Sequence, residues 1–340
     1  MKLPKPLIYG VFVAALILLI GCTVFHDRSI GDRNQITVLA DPSVWQSISA
    51  PLSRIFEREV QTPQPEKIYY LEQADYAKLA EISRRPNILV VAPLKSAEPV
   101  SVFLSNALSA QVADGVFRGD YYVFEKTDLW ARDQQVLFLT APDINSLFHQ
   151  IISHPSELYD LFNNHRNKVI QREMYARLEQ KHLEKEFHDK YGWRLRIQHD
   201  YKVIIDDLDR RLVQLKRNYP DRWLTIHWRD GHDSYRSLEN AAAVRDTLGK
   251  WFFDPVFSYP DYHIFHELEF AGRPGGLLTG LWATESDIGG GPFFTYVVYD
   301  SLLQRTFFID GAVFAPHDVK EPFLRQLQIM ARTFVPGTIQ

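Results

Sequence analysis

Two histidine-bearing segments and one acidic run hold the side chains most able to do chemistry. His227, Asp230, His232 and Asp233 crowd the segment HWRDGHD, and His263 and His266 stand beside Glu267 and Glu269. Two histidines three apart on a helix share one face, as zinc ligation needs. The stretch 262–270 follows Pro260 and has β-like flanks, and in a strand positions three apart point to opposite faces. Phe270 also stands where an HEXXH motif needs its second histidine. These are expected to be polar loop and strand-end histidines, without a metal. Asp206, Asp207 and Asp209 offer the oxygen ligands that magnesium takes, yet Arg210 and Arg211 follow directly. A charge-compensated acidic turn is the simpler reading. Gly289-Gly290-Gly291-Pro292 presents backbone amides of the kind that cradle a phosphate, but lacks the Gly-Lys-Ser/Thr ending and following helix of a P-loop. There is no Gly-X-Ser-X-Gly elbow, and one cysteine allows neither dithiol chemistry nor a multi-cysteine metal site. No catalytic residue and no cofactor is assigned.

The aromatics Trp282, Phe293, Phe294, Tyr296 and Phe308 alternate as strand residues do, so most are expected in core or sheet surface, a few on a ligand groove. Gly280-Leu281-Trp282 reads as the end of one strand, and Gly290-Gly291-Pro292-Phe293 as the loop leading into the next. Glycines there permit close backbone approach and positive φ. The candidate binding surface is therefore Trp282, Gly290, Gly291, Pro292 and Phe293. It suits an envelope protein or a small apolar ligand. The alternative leaves Trp282 in the core and the glycines merely shaping a loop.

The elements that position these residues are legible in outline. In 340 residues, 46% apolar and 24% charged, there is enough apolar material for a real core. Net charge is −4, which disfavours nucleic acid as a partner. Residues 1–21 read as a signal peptide: Lys2 and Lys5, then an uncharged apolar run too short for a membrane span. It ends in Leu19-Ile20-Gly21-Cys22, which resembles a bacterial lipobox, so the chain's one cysteine is the expected lipid attachment site. Cleavage takes Lys2 and Lys5 and no acid, leaving the mature chain at −6, so the lipid and not a basic patch holds the membrane. Thr23 after the cysteine resembles the enterobacterial sorting pattern for the outer membrane, and no acidic run follows Cys22, so the periplasmic face is expected.

Residues 22–34 read as a polar tether. The stretch 35–154 alternates strand and helix patterns, with Asp41-Pro42 and Asp143 as helix starts. Residues 155–192 read as one long connecting helix, continuous to about Lys190. From Trp193 to the end at 340 the pattern turns β-rich, with a helix after Ser237 and a last one after Asp318. The predicted fold class is α+β: an N-terminal α/β-like half, the connecting helix, and a mainly antiparallel C-terminal sheet with helices packed on one face.

Several short motifs follow one another along the chain: Pro63-Gln64-Pro65-Glu66, Asn87-Ile88-Leu89-Val90, Gly280-Leu281-Trp282 and Gly290-Gly291-Pro292-Phe293. Asp300, Val313-Phe314-Ala315-Pro316, Lys320 and Leu324-Arg325-Gln326-Leu327 complete the set. Together they resemble the Bacteroidota-type lipoproteins of domain of unknown function 4837, over nearly all of the mature chain. Pro86 before Asn87 and Thr279 before the Gly-Leu-Trp depart from that pattern. The resemblance implies a lipoprotein and brings no activity with it. The expected function is a non-catalytic binding or envelope-organising module, anchored through Cys22. An envelope hydrolase and a carrier for a lipid-like ligand are the alternatives.

Overall fold

The computed structural model describes residues 26–231, 237–252, 255–284 and 289–337. The signal segment, Cys22 and Thr23 lie outside the described residues, as do His232 and Asp233. The chain divides into two compact units: 1–58 with 67–166, and 59–66 with 167–340.

In the first unit, strands β1 (Gln35–Leu39), β4 (Tyr70–Ala74), β5 (Asn87–Pro93), β6 (Val123–Thr127) and β7 (Gln135–Ala141) form one sheet, ordered β4-β1-β5-β7-β6. Two-residue strands β2 (Glu59–Val60) and β3 (Glu66–Lys67) precede β4 in the chain. All neighbours are parallel except β6, which runs against β7. Every residue of β5 and β7 is buried, as strands covered on both faces require. Helices α1 (Pro42–Phe56), α5 (Ile144–Ser153) and the start of α6 (Pro155–Met174) pack with Val38, Leu89 and Leu137 on one face. On the other, α2 (Leu79–Ile82) and α3 (Pro99–Ala107) join Ile88, Val90 and Phe138, and α4 (Ala110–Arg118) follows. The expected α/β alternation is therefore a parallel sheet with helices on both faces.

Asp143 caps α5 as the sequence indicates, accepting from Ser146 N–H at 2.9 Å. Asp41 behaves differently. Its carboxylate accepts from the N–H groups of Val100 and Ser101, so it caps α3, and α1 starts on Pro42 alone. Burial pushes this carboxyl up from its ordinary value, and the backbone donors pull it back. The described part of the tether is docked: Ser29 N–H donates to the Arg132 carbonyl at 2.9 Å, and Arg28 pairs with Asp133 at 3.1 Å.

The long helix expected over 155–192 is two helices. The first, α6, ends at Met174, and α7 spans Lys181–Tyr191. Leu178 between them has φ of +55°, which no α-helix accommodates. The Gln180 amide then donates to the carbonyls of Gln198 and Tyr201, pinning the break.

The second unit continues with β8 (Trp193–Arg194), β9 (Lys202–Asp207), β10 (Leu212–Arg217) and β11 (Asp221–Asp230). After α8 (Leu238–Gly249) come β12 (Val256–Ser258), β13 (Ile264–Phe270), β14 (Arg273–Thr284), β15 (Gly290–Asp300) and β16 (Arg305–Phe314). Helix α9 (Glu321–Ala331) and β17 (Val335–Pro336) end it. An antiparallel sheet runs β12-β14-β15-β16-β11-β10-β9, with β13 also on β14. The β15–β16 hairpin turns between Asp300 and Arg305, as read from the sequence.

Alternation sends the two sides of each strand into different cores. Leu224, Ile226, Phe294, Tyr296 and Ile309 meet α9 and α7 on one face. Leu278, Trp282, Phe293, Phe308 and Ala312 meet α8 on the other, so helices cover both faces of this α+β sheet. Ser237 caps α8 as expected. Glu66, from the Pro-Gln-Pro-Glu motif, caps α9 by accepting from the N–H groups of Lys320 (2.8 Å) and Glu321 (2.7 Å).

Candidate functional site

A cavity of about 420 Å³ opens on the α8 face of the C-terminal sheet. That volume lies in the range of small-molecule sites. Trp223 and Trp282 stand edge to face at 5.8 Å, and the Phe314 ring lies 6.4 Å from Trp282. Phe252 and Ala312 add to these apolar walls. At one side Lys216 pairs with Asp221 at 2.8 Å, its ammonium 5.1 Å from the centre of the Trp223 ring.

Gln214 and Arg245 line the cavity, and Gln214 belongs to a polar row that crosses four neighbouring strands in one register. Gln214 on β10 is opposite Thr225 on β11, Thr225 is opposite Asp310 on β16, and Asp310 is opposite Thr295 on β15. Cross-strand partners share a face, so the four make one buried polar row. Gln214 donates to the Thr225 hydroxyl at 3.0 Å, and Thr295 donates to Asp310 Oδ2 at 2.7 Å. Arg245 descends from α8 onto this row. Its Nε stands 2.7 Å from Asp310 Oδ2, in an ion pair with both side chains almost fully buried. Its guanidinium carbon also lies 4.7 Å from the centre of the Phe293 ring. Burial pushes the Asp310 carboxyl up, while Arg245 and Thr295 pull it back. Among the described residues, Arg245 Nη1 and Nη2 and Trp282 Nε1 are buried without a hydrogen-bond partner.

Of the sequence-predicted surface, Trp282 lines the cavity, while Gly290, Gly291, Pro292 and Phe293 stand next to it on β15 rather than in a loop, the last three buried. Leu281 pairs with Pro292, Trp282 with Gly291 and Ala283 with Gly290 across β14 and β15, so the two motifs are strand partners. Trp282 and the neighbouring Gly289 line the cavity, and Trp282 is only 5% exposed. Phe293 lies beneath Arg245, fully buried. None of Gly289, Gly290 and Gly291 adopts positive φ. Gly291 is needed for close approach: a Cβ there would lie 2.0 Å from the Val313 carbonyl.

The polar clusters do not assemble. His227 is buried against Phe308 and Trp251, and its Nδ1 meets the Arg211 carbonyl at 3.0 Å. Burial pushes it down to about 4, so this imidazole is a neutral core group. His263 packs on Phe293, with burial pushing it down too, while His266, Glu267 and Glu269 are exposed on β13. Asp206 pairs with Lys190 at 2.7 Å, Asp207 caps Arg210 N–H at 2.9 Å, and Asp209 is exposed. Among the described residues no group of three or more His, Cys, Asp or Glu could hold a metal. Nor is any single described helix long and apolar enough to cross a membrane.

These features define an α+β protein whose C-terminal antiparallel sheet carries an aromatic-walled cavity over a buried ion pair. Residues 180–333 match the model of the family Domain of unknown function (DUF4837). Residues 29–175 match a second family, Domain of unknown function (DUF8532), so the N-terminal motifs at Asn87–Val90 fall within that one. No curated protein matches the chain. Among solved structures, a point mutant of the protein Mog1 is 12% identical, over 44% of this chain and 94% of that one, with a TM-score of 0.28. The Saccharomyces cerevisiae Ran-binding protein Mog1p is 13% identical, over 43% of this chain and 91% of that one, at 0.27. Likeness at that level transfers neither fold nor function.

Proposed function

We propose that this protein is a non-catalytic binding lipoprotein of the cell envelope, which holds a small, largely apolar ligand in the cavity on its C-terminal sheet. The aromatic-walled cavity carries that reading. Trp223, Trp282, Phe252 and Phe314 supply flat apolar surface with few polar groups, the usual lining of a ligand site. The hydrolase alternative needs an acid, a base and a nucleophile in one place, and the acidic and histidine groups described above are dispersed over separate elements.

For the anchor, support comes from the sequence: a charged start, an apolar run and Leu-Ile-Gly-Cys at the chain's one cysteine. Acyl chains contribute about 0.8 kcal/mol per buried methylene, so several on Cys22 hold the protein at the membrane. Outer-membrane placement rests on Thr23, and the periplasmic face on the sequence after Cys22, which carries no acidic run. Cys22→Ser is expected to move the protein from the detergent phase to the aqueous phase in phase partitioning. Continued full partitioning into detergent would overturn the anchor.

Native mass spectrometry of the gently purified protein tests the cavity. The wild type is expected to retain a small-molecule adduct, and Ala312→Phe to lose it. Ala312 lines the cavity, so the added ring occupies the ligand's space. Overpacking a filled core costs about 1–3 kcal/mol, and filling an existing void costs less, so this variant stays folded. The same adduct on both proteins would place the ligand elsewhere.

A further inference from the structure

We propose that the cavity selects an apolar small molecule bearing an oxygen-acceptor head group, bound by Arg245 and Trp282. This rests on the cavity being a ligand site, as above. Arg245 and Trp282 line it, and Arg245 Nη1 and Nη2 and Trp282 Nε1 are donors, buried and unpartnered among the described residues. Native structures rarely leave buried donors unmet. Asp310 Oδ2 already takes the Thr295 hydroxyl and faces Arg245 Nε. Gln214 is turned to Thr225. Acceptor atoms on a ligand would meet these donors.

The terminal nitrogens of a guanidinium form a fork that matches two oxygens of a carboxylate, sulfonate or phosphoryl group. A pure hydrocarbon would leave the fork and the indole N–H unmet, and an organic cation would face a buried guanidinium. Charge is a separate matter from acceptance. Asp310 already balances Arg245, and Asp221 balances Lys216. A neutral carbonyl head thus remains compatible with the site, and the test separates it from an anion.

Anilinonaphthalene sulfonate and N-phenylnaphthylamine share one apolar body and differ in the sulfonate. Fluorescence titration of the full mature protein is expected to show the sulfonate probe binding about tenfold tighter, as charge-assisted hydrogen bonds to a buried fork imply. Arg245→Lys keeps a cation beside Asp310 and removes the fork. Trp282→Phe keeps an aromatic wall and removes the N–H. Each is expected to weaken the sulfonate probe several-fold more than the neutral probe. An anilinonaphthalene carboxamide that binds like the sulfonate supports an acceptor head of either charge, and weaker binding supports an anion. Equal binding of the sulfonate and neutral probes to the wild type would overturn the head-group assignment and leave the cavity standing. If neither probe binds, or Ala312→Phe changes neither, the ligand reading itself falls.

Discussion

Asp310→Ala is expected to destabilise the C-terminal unit by about 3–5 kcal/mol, the usual cost of removing one partner from a buried ion pair. Arg245 is 0% exposed, its Nε is 2.7 Å from the lost carboxylate, and none of the described residues offers it another counter-charge. For a domain of this size that loss lowers the melting temperature by roughly 10 °C, readable by circular dichroism. The Thr295 hydroxyl loses its acceptor at the same time. Removing both charges together acts differently. Arg245→Met with Asp310→Leu replaces the pair by apolar groups of similar size, a change that is often neutral or stabilising. The double variant is therefore expected to melt within a few degrees of wild type, and to bind the neutral naphthylamine probe without preference for the sulfonate. A single Asp310→Ala variant that melts with the wild type would show that the guanidinium is hydrated rather than paired.

The sequence carried half of this arrangement. Trp282 and the glycines stood out because aromatic and glycine residues cluster there with strand-like alternation, and β14 and β15 pair them directly. Arg245, Asp310, Thr225 and Gln214 were missed, although each left a trace. In LVQL, WLTI, FFTYV and FIDGA one strongly polar residue interrupts a run that is apolar on both faces. A lone polar residue in such a strand has to be satisfied by something. That something is cross-strand register, which depends on non-local pairing that local pattern does not encode. Arg245 reads from sequence as an ordinary helical arginine, since its burial follows from how α8 lies on the sheet. The long helix was misread for a related reason. The charged run at 155–192 keeps a helical composition through 175–180, and the contacts that break it come from Gln198 and Tyr201, some 20 residues downstream. Glu66 is the reverse case. Its motif was visible, but its work as the cap of α9 spans more than 250 residues.

Trp282→Ala is expected to cost about 3 kcal/mol, at the low end of the 3–5 kcal/mol typical of a buried aromatic truncated to alanine. At 5% exposure Trp282 belongs to the core by burial, and it packs edge to face on Trp223. It also lines a cavity, so part of its indole has no packed neighbour to lose, which trims the cost. Sequence reasoning sets a buried, structural Trp282 against an exposed, binding one, and predicts that stability separates them. The structure makes that choice a false one, because the residue is wall and core together. Affinity and stability must be read side by side. Trp282→Ala enlarges the cavity and strips one wall, so both naphthalene probes should weaken as the melting temperature falls by roughly 6–12 °C. Trp282→Phe should recover most of the stability and part of the neutral probe's affinity, with the sulfonate preference still impaired. Chemical denaturation and fluorescence titration on the same preparations check both. A Trp282→Ala protein as stable as wild type would mean the indole is not packed against Trp223 and Phe314, and the cavity would lose the wall on which its ligand depends.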